Sequence, residues 1–205
     1  MAVMRKGELT KVAILEAALD LAARDGLEGL TIGLLAERMQ MSKSGVFAHF
    51  GSREDLQIAV VQEYHRQFQH EVFEPAMSRE RGLPRLKALF ANWIKRVTVE
   101  IAQGCVQISG AVEYDDRPGA VREALLESVT IWREALLRAA TQAVSMGHLV
   151  KGTDPQQLVY EMYGLILALH HDARFLKVPG AIGRAQAGFA RLVKSYQSNA
   201  VKQAA

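Results

Sequence analysis

The chain has 205 residues, enough to bury a sizeable core, and its 49% hydrophobic and 23% charged residues are ordinary for a water-soluble globular protein. A net charge of +3 makes bulk attraction to a polyanion a weak argument, and a single cysteine excludes an intrachain disulfide and suits a reducing compartment. No run approaches the roughly 18 continuous apolar residues of a membrane span, and the start lacks a signal-peptide apolar region, so the sequence predicts a cytoplasmic protein with no membrane partner.

Placement of charge says more than its sum. Residues 1 to 54 hold seven Lys/Arg and seven Asp/Glu, but the chain leads with Arg5-Lys6, a short arm able to reach a phosphate or a minor groove, unless it is simply an unstructured start. Further on, Thr31 is placed to cap a helix whose Leu34, Leu35, Arg38 and Met39 follow at helical spacing. After a turn of about three residues, Ser42 is placed to cap a second helix that ends near Phe50, with Gly51 just beyond it. Nine residues at 1.5 Å rise make a rod of roughly 13 Å, about the width of the B-DNA major groove. The pair reads as a helix-turn-helix with the second helix as the reading element.

The composition of that second helix suits the task. Ser42, Lys43 and Ser44 fill its first turn, where hydroxyls, an ammonium and free backbone N–H groups can face phosphates or base edges. Gly45 permits close backbone approach, Val46 and Phe50 point inward, and His49 is expected to be exposed and to donate to a phosphate. The next helix is expected from Ser52, with Glu54 and Asp55 favourable to its N-terminal dipole and Arg53 able to reach a phosphate. Two ordinary amphipathic helices with a solvated lysine are the competing reading.

The stretch from Thr10 to Leu56, TKVAILEAALDLAARDGLEGLTIGLLAERM followed by MSKSGVFAHFGSREDL, resembles the DNA-binding domain of TetR/AcrR-type bacterial repressors. The family pattern falls here on Thr10 as cap of a first helix, Gly26 at its end, Thr31, Ser42, Lys43, Phe47, His49, Phe50, Ser52 and Arg53. The resemblance covers about a quarter of the chain and implies DNA contacts by Thr31, Ser42, Lys43, Ser44, Gly45, Phe47, His49 and Arg53. Two positions depart from the pattern. Gln40 stands where a turn glycine is usual, at a cost of about 1 kcal/mol if the backbone there is left-handed. Phe47 replaces a tyrosine whose hydroxyl donates to phosphate, a hydrogen bond worth roughly 0.5–1.5 kcal/mol, so Phe47 is carried over only as a packing or sugar contact.

The rest of the chain reads as helix after helix, giving an all-α fold of about nine helices; the resemblance implies a division into a head, residues 1–53, and a ligand-binding and dimerisation body, residues 54–205. A fourth helix is expected from Ser52 to about Met77, on Leu56, Ala59, Val60, Tyr64, Phe68 and Val72, broken in the region of Pro75 and Gly82. A fifth, about Pro84 to Ala102, puts Leu86, Leu89, Phe90, Trp93, Ile94 and Val97 on one side. A short sixth, Val106 to Glu113, precedes Tyr114-Asp115-Asp116-Arg117-Pro118-Gly119, whose acids are read as a helix cap and a local ion pair and not as a metal site. A seventh follows from about Ala120 to Met146.

Asp154-Pro155 starts an eighth helix that is apolar almost all round from Leu158 to Leu176, and so is expected to be buried on more than one side. A ninth, about Ala181 to Ser198, mixes Ala181, Gly188 and Ala190 with Phe189, Leu192 and Val193. The resemblance implies that these last two helices form a four-helix interface with a second copy, making a homodimer. It also implies an effector cavity, with Phe90, Trp93, Val97, Cys105, Ile108, Trp132, Tyr163, Leu167 and His171 as wall candidates, each of which is otherwise plain core. Cys105 is favoured as a small buried hydrophobe over a redox sensor, because no resolving partner exists.

Phosphate-loop, HExxH and GxSxG motifs are all missing, and no enzyme activity, cofactor or metal is expected. The reading is a ligand-responsive repressor binding a palindromic operator on double-stranded DNA as a homodimer, released by a small apolar or aromatic effector. A helical protein-interaction module without sequence-specific DNA binding is the alternative.

Overall fold

Four short polar side chains fix where the helices begin. Thr31 Oγ1 accepts the Leu34 N–H at 3.1 Å, Ser42 Oγ accepts that of Gly45 at 3.1 Å, Ser52 Oγ that of Asp55 at 3.0 Å, and Asp154 Oδ1 that of Gln156 at 2.8 Å. Each bond satisfies an N–H that the first turn of a helix leaves without an intrahelical partner, and each is worth about 1 kcal/mol. The structure, a computed structural model, describes residues 6–197. Among them it is all-α, with nine helices and no strand.

These are α1 (Lys6–Asp25), α2 (Ile32–Arg38), α3 (Lys43–Phe50), α4 (Arg53–Phe68), α5 (Leu83–Gln103), α6 (Val106–Glu113), α7 (Ala120–Ser145), α8 (Pro155–His170) and α9 (Ala181–Tyr196). A π-helical turn, Gln69–Phe73, and a last α turn, Glu74–Met77, follow α4, while a π turn, His171–Phe175, follows α8. The first π turn has an evident cause. Pro75 has no N–H and its ring clashes with a carbonyl four residues back, so the ladder widens just upstream. Thr10 does not cap α1 but lies inside it. The Arg5 end of the expected basic arm, the Lys6 side chain and the expected helix end at Ser198 lie outside the described residues.

The chain packs as two compact units. The first takes residues up to 67 and 103–129; the second takes 68–102 and 130 onward. In the first, Ile14, Ala18, Leu27, Leu30, Leu35, Val46, Leu56 and Val60 have no exposed surface. Burial of each aliphatic side chain of Val size or larger contributes on the order of 1.5–3 kcal/mol. Gly110 of α6 lets Leu27 and Leu125 come close, since a Cβ there would stand 3.0 Å from a methyl of each. The buried Gln57 amide donates to the Leu27 carbonyl at 2.6 Å, and the Tyr64 hydroxyl and Cys105 Sγ are hydrogen-bonded at 3.3 Å. Cys105 is therefore buried and hydrogen-bonded.

The second unit is built on aromatic edges. Trp93 meets Trp132 edge-on at 5.2 Å and Tyr163 at 4.7 Å, Phe68 meets Trp132 at 4.9 Å, and Phe90 stacks on Phe189 at 3.9 Å between centroids. Such pairs add about 0.5–1.5 kcal/mol each beyond their burial. Arg96 bridges Glu71 at 2.7 Å and the buried Glu100 at 2.9 Å, which gives that carboxylate the counter-ion its burial demands. No helix among the described residues is long and apolar enough to cross a membrane.

The turn between α2 and α3 carries the one conformational cost foreseen in the sequence. Gln40 has φ +53°, in the left-handed region that favours glycine. Gln40→Gly is expected to raise the unfolding free energy of the protein by up to about 1 kcal/mol, read as a higher denaturant midpoint at unchanged slope; a lower midpoint would show that the Gln side chain stabilises the turn by more than the strain costs.

Candidate nucleic-acid interface

An eight-residue helix shows one face to the first unit and the other to solvent. On α3 the inner face is Val46 and Phe50, both buried, with the Lys11 ammonium 5.5 Å from the Phe50 ring centre. The outer face carries Ser42, Lys43, Ser44 and Phe47, all exposed, Phe47 by 52%. The Ser42 and Ser44 hydroxyls are 3.1 Å apart, so a donor remains at the helix start while Ser42 also caps it. Gly45 serves that cap, because a Cβ would stand 3.2 Å from Ser42 Oγ. His49 is only half-exposed, its ring tilted against Phe50 at 6.5 Å, which corrects the expectation of a fully solvated imidazole.

Lys43 does not extend freely into solvent. Its Cε and Nζ lie 3.3 and 3.6 Å from where a Cβ of Gly33 would stand, and Thr31 Oγ1 lies 3.9 Å from the same point. Thr31, the start of α2 and the Lys43 ammonium are thus gathered at one spot, two sources of positive potential with no carboxylate hydrogen-bonded to them among the described residues. Such a spot suits a phosphate. Gly33 was missed in the sequence because nothing local distinguishes it; only its packing under Lys43 does.

Arg53 is placed differently from expectation. Its side chain, still 42% exposed, reaches back to the segment before α2, with Nε donating to the Leu30 carbonyl at 2.9 Å and Nη2 to the Glu28 carbonyl at 2.5 Å, and it pairs with the Glu28 carboxylate at 3.3 Å. The same carboxylate accepts from the Tyr114 hydroxyl and pairs with Arg117 at 3.3 Å, while Glu113 Oε2 accepts the Glu28 N–H at 3.0 Å. Arg117 therefore does not pair locally with Asp115 or Asp116 as the sequence suggested. It is drawn to Glu28, and Asp115 instead accepts the Asp116 N–H at 2.9 Å. The Tyr114 hydrogen bond foremost, then Arg53 and Arg117, hold the Glu28 carboxyl below its ordinary value against the opposing effect of burial. Burial and the Glu28 charge raise the Tyr114 phenol.

In the second unit, Phe90, Trp93, Val97, Trp132 and Tyr163 are gathered in the aromatic interior, Tyr163 with a small exposed fraction and Arg133 over its ring at 4.7 Å. Leu167 is half exposed and His171 faces solvent, so neither lines this interior. His170, one residue or about 100° round the helix from His171, is the inward histidine. Among the described residues, four buried polar atoms of this unit have no hydrogen-bond partner: Trp132 Nε1, Tyr163 Oη and His170 Nε2, and Thr153 Oγ1 in the turn before α8. Burial pushes the His170 imidazole down, against the pull of Glu100, and pushes the Tyr163 phenol up. Cys105 and Ile108 belong to the first unit.

Comparison with known proteins adds the following. Residues 14–60 match the family described as bacterial regulatory proteins, tetR family, and residues 82–189 match the tetracyclin repressor-like C-terminal domain. No curated protein sequence matches the chain. Among solved structures, a TetR-family transcriptional regulator from Cytophaga hutchinsonii superposes with a TM-score of 0.80 at 16% identity, covering 97% of this chain and 100% of its own. AibR, solved with isovaleryl coenzyme A and operator DNA, gives 0.68 at 24% identity over 86% and 96% of the two chains. The regulator FadR of Bacillus subtilis, solved with stearoyl-CoA, gives 0.72 at 16% identity over 89% and 97%.

Two outcomes test this geometry without DNA. Ser42→Ala is expected to lower stability by about 1 kcal/mol through loss of the cap, while Lys43→Ala, an exposed change, shifts it by no more than about 0.5 kcal/mol; equal losses in denaturant titrations would contradict the assignment. Because Glu28 titrates lower in the folded protein than unfolded, its stabilisation is present above the ordinary carboxylate range and is lost as pH falls through the lowered value. Glu28→Gln should therefore flatten part of the acid limb of the stability profile and, since the Glu28 charge helps to raise the Tyr114 phenol, also reduce the loss of stability on the alkaline limb.

Proposed function

The chain belongs to the TetR family of bacterial regulatory proteins, and we propose that it is a repressor that binds a palindromic operator as a homodimer and is released by a small effector. The observation that carries the reading is the outer face of α3, where Ser42, Lys43, Ser44 and Phe47 are all exposed at the start of a capped helix of groove-filling length. Ser42, Lys43, Ser44 and Gly45 enter the major groove, Thr31, Lys43 and His49 hold phosphates, and Phe47 lies against a sugar. Arg53 acts mainly by holding the loop between α1 and α2. Residues 1–53 form the reading head and 54–205 the regulatory and dimerising body. The chain acts by binding, with no enzymatic step.

Support for the dimer comes from apolar groups that the single chain leaves in water. Tyr160, Leu167, Phe175 and Leu176 are exposed by 66%, 50%, 75% and 53%. Large apolar side chains left in water on one helix and the turn after it are characteristic of a subunit interface, and a two-fold pairing presents two α3 helices to two half-sites. Support for the effector comes from the unpartnered Trp132, Tyr163 and His170 atoms, each of which costs on the order of 1–3 kcal/mol while unpaired. An effector of matching chemistry joins an apolar or aromatic body to a carbonyl or carboxylate acceptor for the indole N–H. The acyl thioesters bound by AibR and by FadR of Bacillus subtilis belong beside aromatic acids in a first screen.

Selection of bound duplexes from a random pool at two salt concentrations is expected to enrich an inverted repeat; weak, unselective retention that vanishes with salt would overturn the reading. On the selected duplex, Lys43→Ala should weaken binding and reduce the salt slope by about 1 per head, with the sedimentation of the dimer unchanged. Leu167→Glu should give a folded monomer; an unchanged dimer would place the interface elsewhere.

A further inference from the structure

The loop between α1 and α2, Gly26 to Leu30, is held from two sides by groups that touch no part of the proposed DNA face. From α6 and the turn after it come Glu113, Tyr114 and Arg117; from the start of α4 comes Arg53. Glu113 is pressed onto the loop so closely that a Cβ on Gly26, whose φ is +81°, would stand 2.1 Å from its Oε1. Its other oxygen takes the Glu28 N–H. The Glu28 side chain then serves as the hub, with one oxygen receiving the Tyr114 hydroxyl and the other facing Arg53 and Arg117.

Surface ion pairs alone seldom order anything, and Arg117 to Glu28 is a pair of that kind, both side chains being about half exposed. The rest of the set is different. Tyr114 is buried, its hydroxyl bond to a carboxylate is charge-assisted, and the loop's own N–H and two carbonyls are all engaged by side chains. Beneath it Leu27 and Leu30 are fully buried, Leu27 against Gly110 of the same α6. Thr31, the cap of α2, follows this loop directly, so the setting of the loop is the setting of α2 and, through their packing, of α3.

We propose that Tyr114 and Glu113 are positioning residues for DNA reading, acting through Glu28 to fix the α1–α2 loop and hence the angle at which α3 is presented. The inference rests on the reading of α3 as the DNA-contacting helix, but the clamp itself makes a claim that can be tested without DNA. Removal of the Tyr114 hydroxyl lets the loop and α2–α3 open more often, although no residue of the DNA face has changed.

Tyr114→Phe, Glu28→Gln, Glu113→Ala and Glu113→Gln, made in the full chain, are compared with wild type by amide hydrogen exchange and by affinity for the inverted-repeat duplex. Tyr114→Phe and Glu113→Ala are expected to speed exchange about tenfold at residues 27–50, with exchange in α8 and α9 unchanged, and to weaken duplex binding by a similar factor. Glu113→Gln, which keeps an acceptor for the Glu28 N–H, should behave as wild type. The Tyr114→Phe, Glu28→Gln double variant should be no worse than the worse single, because the Tyr114 hydroxyl acts only through its charge-assisted bond to Glu28, which the Gln already weakens. Unchanged exchange at 27–50 in Tyr114→Phe, or additive effects in the double variant, would overturn the proposal. Wild type binding no duplex would instead overturn the DNA reading, and the exchange results would still decide the clamp.

Discussion

An eight-residue helix is not stable by itself in water, because nucleation fixes several residues before the hydrogen bonds formed can compensate. Both α2, at seven residues, and α3, at eight, are below that limit. They exist because something else fixes them: Leu35, Val46 and Phe50 turned into the core of the first unit, Thr31 and Ser42 closing their first turns, and the loop before α2 tied down by side chains. The arrangement leaves the outer face of α3 under no structural obligation. Ser44, Lys43 and Phe47 are therefore free to be chosen for what they touch outside the chain, and a half-exposed aromatic in their midst has no folding reason to be there.

Charge in the first unit follows the same division. Away from α3, the Glu28 carboxylate is matched to Arg53 and Arg117, and Glu63 to Arg66. Arg53 engages two loop carbonyls and the Glu28 carboxylate, so its charge is already partnered within the chain. The cation that remains at that face is Lys43, steered over Gly33 toward the start of α2. On the proposed reading, affinity then depends on few charges set at the right places, in keeping with a chain whose net charge is only +3.

Much of this was legible in the sequence, and the boundary of legibility is physical. Caps are local chemistry, so Thr31, Ser42, Ser52 and Asp154 could be read from residue type and spacing, and the 3.6-residue repeat of Leu86, Leu89, Phe90, Trp93, Ile94 and Val97 placed all six in the core. The left-handed Gln40 could be anticipated from its turn position. What could not be read was phase where every face is apolar. From Leu158 to Leu176 the pattern offers no polar stripe to orient the helix, so Leu167 and His171 were assigned inward although Ile166 and His170 are the residues that turn in. Contacts between distant segments were equally closed to inspection: Glu28 and Tyr114 are 86 residues apart, and nothing in either neighbourhood marks them as partners.

The unpaired groups of the second unit show why packing alone does not account for that interior. Among the described residues an indole N–H, a phenol and an imidazole nitrogen lie buried without a hydrogen-bond partner, while a few residues away Arg96 and Glu100 satisfy each other. A phenylalanine at 132 or 163 would keep ring contacts and avoid that desolvation cost, so stability does not explain those two polar atoms. On the proposed reading a ligand supplies the missing partner, and its binding energy then includes relief of that cost. The same logic limits the ligand: one without an acceptor group leaves the indole N–H unpaired and gains only apolar contact, which many small molecules provide equally. Selectivity among effectors should therefore reside in Trp132, Tyr163 and His170, and bulk affinity in the surrounding rings.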